Sequence, residues 1–373
     1  MKESGASLLA GRVVAVSTAE VDVAFDAEPP PLGAVLSIRR ADPTGSPCRV
    51  VVTAPVAGAT RCVPVDDTVG LARGAVATLL SAPDARALFT TRDEPSWSVG
   101  SRSRLDTGIP VIDELAPIAR GGSTAIVGLD LAPWWSLTSD VLARVGSDPA
   151  LRLVLVGAES LLAPWPDGAL RAPVERCTFP DHGLPGAILL ALARALDAAR
   201  ATAPPRHAMV VVAGFDLVVA RVSTIRTRGS RSVIELWLDA LDAAEPSRVL
   251  AWSTPVDELD DDDVLARVAS GLDTTLVLDR HLASMGAPWP LDPLRSTSRH
   301  APADEDHALS LRALLARARA IREERLAVLG AEQLDPADRA ELARATNELH
   351  RLVGLPVLAD EALDPGGGGP SIQ

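Results

Sequence analysis

The chain has 373 residues and a mass of 38.9 kDa, and 47% of its residues are hydrophobic, which predicts a globular protein of two or three domains. A formal net charge of −13 and a pI of about 5.0 exclude a general nucleic-acid or anionic-membrane surface, because both require basic patches. No run of about eighteen apolar residues is present, so we expect no direct membrane insertion.

Cysteine and lysine are both scarce. Cys48, Cys62 and Cys177 are odd in number and widely spaced, so they predict neither a disulfide framework nor a metal site. We expect three buried, idle thiols in a reducing cytoplasm. The single lysine is Lys2, so no lysine is available anywhere else in the chain for binding an anion.

Residues 9–82 alternate short apolar runs with turns that contain proline and glycine, which is typical of a small β-barrel. Six strands are predicted there: Arg12–Val16, Val21–Phe25, Ala34–Arg39, Arg49–Ala54, Thr60–Val65 and Ala75–Leu80. Residues 83–106 are polar and rich in turn residues, and we interpret them as a linker.

Residues 107–300 alternate apolar runs with helical stretches, which predicts a parallel sheet with helices on both faces. Five strands are predicted there: Thr124–Val127, Leu151–Val156, Met209–Ala213, Val249–Ser253 and Thr275–Leu278. The segment Gly186–Ala201 has helical spacing of Ile188, Leu192 and Leu196. Residues 301–364 predict a helical C-terminal domain with helices at His307–Gly330 and Pro336–Val353, and residues 365–373 predict a disordered tail.

One stretch has the strand, loop and helix order of a phosphate-binding loop but lacks its chemistry. The strand Thr124–Val127 is followed by Gly128 and then by Leu-Asp-Leu-Ala-Pro-Trp-Trp, and an apolar-periodic segment begins at Ser136. Such a loop needs G-x-x-x-x-G-K-[ST], in which backbone N–H groups hold the phosphates, a lysine reaches the outer ones and a hydroxyl binds magnesium. Pro133 lacks an N–H, and Trp134 and Trp135 carry neither an ammonium nor a hydroxyl group.

The segment Thr107–Gly122 resembles T-G-I-x-V-I-D-x-L-A-P-x-A-R-G-G, the approach to the phosphate loop in the beta subunit of rotary ATP synthases. Val65–Gly74 resembles that family's N-terminal barrel, and SGLDTTLVLDR at Ser270–Arg280 and LDPLRSTSR at Leu291–Arg299 resemble two of its later segments. The resemblance covers Gly11 to Asp364 with two or three deletions. It implies an N-terminal β-barrel, a central RecA-like parallel-sheet domain of the nucleotide-binding type and a C-terminal helical domain.

The resemblance also implies where a nucleotide site would lie, and the family's residues are missing there. Glu159 lies within about one position of the glutamate that polarises the attacking water, Gly214 takes the place of the magnesium-linked aspartate, and Trp289 lies beside the position of the adenine-stacking tyrosine. Purely structural interpretations remain open. Glu159 is then a solvated glutamate at a strand end, and Trp289 is a packing residue. Trp134 and Trp135 either plug the site or pack at the start of a helix.

Three functions are consistent with these residues. The first is a non-catalytic relative of the beta subunit, a pseudo-ATPase that serves as a structural or regulatory subunit beside other ATP-synthase-like subunits or a paralogue. The second is a beta-type subunit that still binds ATP or ADP with magnesium weakly, and the third is a solitary interaction protein. We expect the first, with no cofactor, a cytoplasmic location, and attachment to the inner membrane only through such a complex.

Overall fold

The computed structural model describes residues 10–42, 44–80, 84–89, 103–128, 131–145, 150–164, 172–202, 207–225, 231–243, 246–253, 264–326 and 334–357. The chain divides into two compact units. The first unit comprises Met1–Arg102, Gly146–Trp252 and Val256–Gly271, and the second comprises Ser103–Val145, Ser253–Pro255 and Leu272–Gln373. The predicted tail at 365–373 and residues 83 and 90–102 of the predicted linker lie outside the described residues.

The first unit begins with a closed antiparallel barrel, as the alternation of apolar and polar residues predicts. Its strands are β1 (Ala10–Val16), β2 (Val21–Phe25), β3 (Val35–Ile38), β4 (Cys48–Val56), β5 (Ala59–Pro64) and β6 (Val76–Leu79). They close in the order β1-β2-β5-β4-β3-β6. All six predicted strands are confirmed, and closure leaves no exposed edge in this part of the chain.

Side chains on every second strand position fill the barrel interior. They form one buried cluster: Val13, Val21, Val23, Ala34, Leu36, Ile38, Cys48, Val50, Val52, Cys62 and Ala77. The predicted burial of the thiols is confirmed, because Cys48, Cys62 and Cys177 are all free and buried. Burial raises the pKa of the Cys48 and Cys177 thiols to about 11, so neither is a reactive thiolate at neutral pH.

The rest of the first unit is an α/β layer. Strands β10 (Leu151–Ala158), β11 (Val174–Phe179), β12 (His207–Ala213) and β13 (Ser247–Trp252) pair in parallel in the order β11-β10-β12-β13. The helices of this layer are α2 (Glu159–Leu162), α3 (Pro185–Arg200), α4 (Phe215–Val222), α5 (Val233–Asp242) and α6 (Val264–Gly271). The parallel arrangement is confirmed, whereas β11 was not predicted.

Helix α3 ties the barrel to the parallel strands within this unit. Ile188, Leu192 and Leu196 are completely buried, which confirms the predicted apolar face. The helix starts against the barrel, where a Cβ on Gly186 would lie 2.7 Å from the Pro64 carbonyl oxygen. On α5 the Trp237 indole donates a 2.9 Å hydrogen bond to the Leu192 carbonyl, so the buried tryptophan has its partner.

Part of the predicted linker is packed into the first unit. Residues Arg86–Phe89 form a 3₁₀ turn, and both Ala85 and Leu88 are completely buried. Gly33, with a φ of 82°, lets the chain approach closely there, because a Cβ would lie 2.4 Å from the Ala85 carbonyl carbon. The first residues after the barrel therefore pack into the first unit, against α3 and α5.

The second unit contains a smaller set of strands. Strand β9 (Ser123–Val127) pairs in parallel with β14 (Thr274–Val277), and the short β15 (Thr297–Ser298) pairs antiparallel with β14. The short strands β7 (Arg104–Leu105) and β8 (Ile118–Ala119) form a separate antiparallel pair. Helix α1 (Leu131–Val145) follows β9, and α7 (Arg280–Ser284) follows β14.

Two long helices complete the second unit, at the positions predicted. Helix α8 (Glu305–Ile321) continues into a π-helical turn at Arg322–Leu326, and α9 spans Pro336–Val353. The side chain of Asp335 accepts a hydrogen bond from the Ala337 N–H and caps the start of α9, and Gly354 ends the helix with a φ of 78°. The predicted stop at Gly330 lies outside the described residues.

Candidate functional site

Gly128, the first residue of the predicted loop, lies directly after β9. A Cβ at this position would be 2.5 Å from Leu278 Cβ, far inside normal contact distance. The Leu278 N–H donates a 2.7 Å hydrogen bond to the Val127 carbonyl, which holds the two chains at this spacing. Close packing against Leu278 is therefore sufficient reason for a glycine, with no phosphate involved.

The next predicted site residues belong to a helix. Helix α1 begins at Leu131, five residues before the apolar-periodic segment at Ser136, and Pro133, Trp134 and Trp135 lie in its first turns. A proline fits here because the first four N–H groups of a helix have no intrahelical acceptor. The side chains of these three residues lie outside what the structure describes, and so does the predicted plug.

Trp289 is held by partners from two other elements of the second unit. Its indole Nε1–H donates to the Asp140 carboxylate on α1 at 2.5 Å, and the Arg144 guanidinium lies over the ring, 5.1 Å from the ring centroid. Its backbone N–H donates to the Val353 carbonyl at 3.3 Å. At the end of α9, a Cβ on Gly354 would lie 3.0 Å from the ring. These contacts favour the packing interpretation of Trp289.

Arg144 joins this tryptophan to the Thr107–Gly108 segment. Its Nη1 donates a 3.1 Å hydrogen bond to the Gly108 carbonyl, and its Nε lies 3.2 Å from the Asp140 carboxylate, one helical turn earlier. A guanidinium over an aromatic face is attracted by the ring quadrupole. Arg144 thus occupies one face of the Trp289 ring.

The T-G-I-x-V-I-D segment forms a turn around Asp113. The Asp113 carboxylate accepts hydrogen bonds from Thr107 N at 3.1 Å, Thr107 Oγ1 at 2.9 Å and Gly108 N at 2.8 Å. Gly108 has a φ of 65°, a conformation that favours glycine. Burial raises the pKa of Asp113, the Thr107 bonds oppose that change, and the neighbouring Asp106 adds to it.

The two later family-like segments have structural roles in the second unit. Asp273 accepts hydrogen bonds from Ser123 N at 2.8 Å and Ser123 Oγ at 3.0 Å, which joins the start of β14 to β9. Asp292 accepts from Leu294 N at 2.8 Å and Arg295 N at 3.1 Å, and Ser296 Oγ accepts from Val277 N. Their polar side chains thus complete backbone hydrogen bonding, and Asp279, Asp292 and Leu294 also line a cavity beside α8 and α9.

Two predicted site residues belong to the first unit. Glu159 follows β10 as the first residue of α2 and is exposed, as expected for a solvated strand-end glutamate. Gly214 follows β12 with a φ of 66°, and a Cβ there would lie 2.9 Å from Leu161 Cδ1. Asp216 lies two residues on, in the first turn of α4, where its Oδ1 accepts from the Leu217 N–H. The position expected for a magnesium ligand therefore has no side chain.

These residues do not fit a magnesium nucleotide. Gly214 offers no oxygen ligand, Pro133 has no N–H, and the Trp289 ring is already in contact with Arg144. Among the described residues, no group of three or more histidine, cysteine, aspartate or glutamate side chains is placed to hold a metal ion. We therefore derive no catalytic step from this region.

Sequence reasoning missed Asp140 and Arg144. Their i, i+4 spacing within the helical pattern was visible, and such pairs commonly form one-turn ion pairs. The link from Asp140 to Trp289 crosses 149 residues, and no local pattern encodes it. A non-local contact of this kind needs the fold itself.

No protein-family model matches the chain. Within the part of the chain that the structure describes, no helix is long and apolar enough to cross a membrane.

Proposed function

We propose that this chain is a non-catalytic relative of the rotary ATP synthase beta subunit and acts as a structural or regulatory subunit of an ATP-synthase-like assembly. The observation that carries the proposal is the segment from Gly128 to Trp135, which follows a β-strand, runs into helix α1 and has no lysine, no hydroxyl side chain and, at Pro133, no backbone N–H. The barrel, the parallel strands and the two long helices occur in the order that the resemblance implies.

The binding free energies of the missing contacts favour a chain that binds no nucleotide over one that binds ATP weakly. Each charge-assisted phosphate contact contributes about 1.5–3 kcal/mol. Here the lysine, the hydroxyl, a backbone N–H and the magnesium-linked carboxylate are all absent. Their sum is on the order of 8 kcal/mol, the whole binding free energy of a micromolar ligand.

The first test is thermal unfolding of the purified protein with and without millimolar Mg-ATP, and separately with Mg-ADP. A ligand present at about 1,000 times its Kd stabilises the folded state by about 4 kcal/mol, which raises Tm by several degrees. We expect no shift. A rise of several degrees that disappears when magnesium is chelated would establish the alternative, a beta-type subunit that still binds ATP or ADP.

The second test addresses the assembly. The protein, tagged at its natural level in its own organism, should be recovered with ATP-synthase-like subunits or a paralogue as a hetero-oligomer. An unrelated protein with the same tag, purified in parallel, identifies background binding. Recovery as a lone monomer would reject the assembly and support a solitary interaction protein that reuses the fold.

A further inference from the structure

Four segments of the second unit line a cavity of about 240 Å³. They are α7, residues 292–294, α8 with its π-helical turn, and α9. The apolar part of the cavity wall consists of Leu282, Leu294, Leu315, Ala318, Ala345 and Leu349. An apolar cavity of about 150 Å³ holds benzene, so this cavity has room for one ring and a short polar group.

One carboxylate on the cavity wall is almost fully buried. Asp292 is 8% exposed, and its Oδ1 accepts hydrogen bonds from Leu294 N at 2.8 Å and Arg295 N at 3.1 Å. Among the described residues, the one cation beside its Oδ2 is Arg319, whose Nη1 lies 3.6 Å away, too far for a hydrogen bond. Because an ionised carboxylate accepts at both oxygens, Asp292 keeps an unused acceptor at the cavity.

A second carboxylate on the wall is also only partly used. Asp279 precedes α7, and its Oδ1 accepts a hydrogen bond from Leu282 N at 2.9 Å. In the part of the chain that the structure describes, no donor is paired with its other oxygen. Two carboxylates with spare acceptors on one cavity favour a ligand with several charged donors, and an ammonium group has three.

The guanidinium groups at the cavity do not offset this preference. Arg319 is 51% exposed and donates through Nε to Glu323 Oε1 at 3.0 Å, and Arg322 is exposed as well. Water and salt screen exposed charges strongly, whereas they screen the buried Asp292 much less. The lining also has three carboxylates against two guanidinium groups, so its charge favours a cation over an anion.

We propose that this cavity binds a small primary amine with an apolar body of about one ring. The apolar body packs against the leucines of α7, α8 and α9, and the ammonium group donates to the Asp279 and Asp292 carboxylates. This inference does not rest on the proposed function, because none of the lining residues belongs to the Gly128–Trp135 segment.

The first experiment compares three ligands of nearly equal shape on the full chain by saturation-transfer NMR titration. Benzylamine is protonated at pH 7, benzyl alcohol is its neutral counterpart and benzoate is an anionic one. We expect benzylamine to bind at least about tenfold more tightly than benzyl alcohol, since a charge-assisted hydrogen bond is the stronger one. Equal affinities for the two, no binding of benzylamine, or preferred binding of benzoate would each overturn the proposal.

Asp279→Asn tests the charge without removing the helix cap, because asparagine caps a helix about as well as aspartate does. We expect benzylamine to bind about three- to tenfold more weakly to this variant and benzyl alcohol to bind as before. Asp335→Asn is the matched control, since it removes the same charge from the cap of α9, outside the cavity lining. An equal loss in both variants would mean that the amine responds to the overall negative charge of the chain, which would overturn the site.

Leu349→Trp tests the location by filling the cavity from α9. We expect it to abolish binding of both benzylamine and benzyl alcohol, with circular dichroism showing that the variant is folded. Leu309→Trp, at an exposed position of α8, is the matched control and should bind both ligands as the wild type does. Unchanged binding of benzylamine to folded Leu349→Trp would place the amine elsewhere and overturn the proposal, and Asp279→Asn decides the question if Leu349→Trp does not fold.

Discussion

Arg144 contacts several separate parts of the second unit. It pairs with Asp140 on its own helix, donates to the Gly108 carbonyl and covers the Trp289 ring. In an enzyme of the resembled family, an aromatic ring near this point of the chain is expected to face a ligand. Here an arginine from the same unit takes up that face, and the tryptophan becomes part of the packing.

Arg144→Met should lower the free energy of unfolding by about 1–2 kcal/mol. The change removes a cation–π contact worth about 0.5–1 kcal/mol and a hydrogen bond worth about 0.5–1.5 kcal/mol, and methionine keeps most of the aliphatic packing. Urea denaturation measures the loss. Arg73→Met, at an exposed barrel position, is the matched control and should change the free energy by less than about 0.5 kcal/mol. An equal loss in both variants would contradict a specific role for Arg144.

Gly128 matches a phosphate-loop motif, but its role in packing has to be distinguished from a role in binding phosphate. The glycine looks like the start of a phosphate loop in sequence, yet Leu278 leaves no room for a side chain. Because the contact with Leu278 alone requires a glycine, we expect a glycine at this position whether or not the protein binds a nucleotide. It therefore carries little evidence about function, while Pro133 and the absent lysine carry more.

At the scale of elements, α5 has a helix-start signature that was readable in the sequence. Ser232 accepts from Glu235 N at 3.3 Å, and the Glu235 carboxylate accepts from Ser232 N at 2.7 Å, which together form a capping box. The serine is completely buried, so a lost bond cannot be replaced easily by water. The residues S-V-I-E are thus a local signal for the start of a helix.

Ser232→Ala should destabilise the protein by about 1–2 kcal/mol, since it removes the cap and leaves a buried N–H without its partner. Chemical denaturation monitored by circular dichroism measures this. Ser232→Thr keeps the hydroxyl and is the conservative control, expected to recover part of the loss. If alanine is tolerated as well as threonine, the capping box contributes nothing measurable.

The ion pairs around Glu114 give the second unit a pH dependence of the ordinary sign. Arg351 places Nη1 and Nη2 at 2.7 and 2.8 Å from the two Glu114 oxygens, and this pairing lowers the pKa of Glu114. A lowered carboxylate pKa contributes stability that is present above the unfolded value of about 4.3 and is lost as pH falls through the folded value.

Glu114→Gln should therefore cost about 0.5–1 kcal/mol at pH 7, a modest amount because the Arg351 side chain is 38% exposed and screened by solvent. The difference from wild type should shrink towards zero as the pH falls below the folded pKa of Glu114. Urea titrations at neutral and acid pH check both points, with Glu28→Gln at an exposed loop as control. A difference that grew in acid would show that the carboxylate is not stabilised by its ion pair.

The sequence located most elements because their signals are local. Period-two alternation marked the barrel strands, apolar runs marked the parallel strands, and Asp335-Pro336 marked the start of α9. Strand β11 was missed because V-E-R-C-T-F mixes charged and apolar residues without a regular period, and its strand state depends on pairing with β10.

The site was less predictable than the fold for the same physical reason. A single sequence shows directly that no lysine, hydroxyl or carboxylate group occupies the expected positions. The contact between Asp140 and Trp289 joins residues 149 positions apart along the chain, and the turn around Asp113 depends on the φ of Gly108. Such features arise only when the segments have already folded.

For the whole molecule, the proposed function implies departures from the resembled family in several segments rather than in one loop. Introducing the family's loop residues alone should therefore not produce nucleotide binding. We expect a variant with Pro133→Gly, Trp134→Lys and Trp135→Thr to show no Tm shift with millimolar Mg-ATP, because Gly214 still supplies no carboxylate and Arg144 still covers Trp289. A regained lysine provides at most a contact of about 1.5–3 kcal/mol, well short of micromolar affinity.

Adding Gly214→Asp and Arg144→Ala to these changes tests which loss limits binding. Aspartate tolerates the left-handed backbone at position 214 better than most residues, although Leu161 must move. The three loop changes without these two serve as the matched control, and inorganic phosphate is tested beside Mg-ATP to separate phosphate binding from base stacking. A Tm rise in the variant that carries only the three loop changes would mean that the loop residues alone prevent nucleotide binding. A rise only in the full combination would show that the separate losses act together.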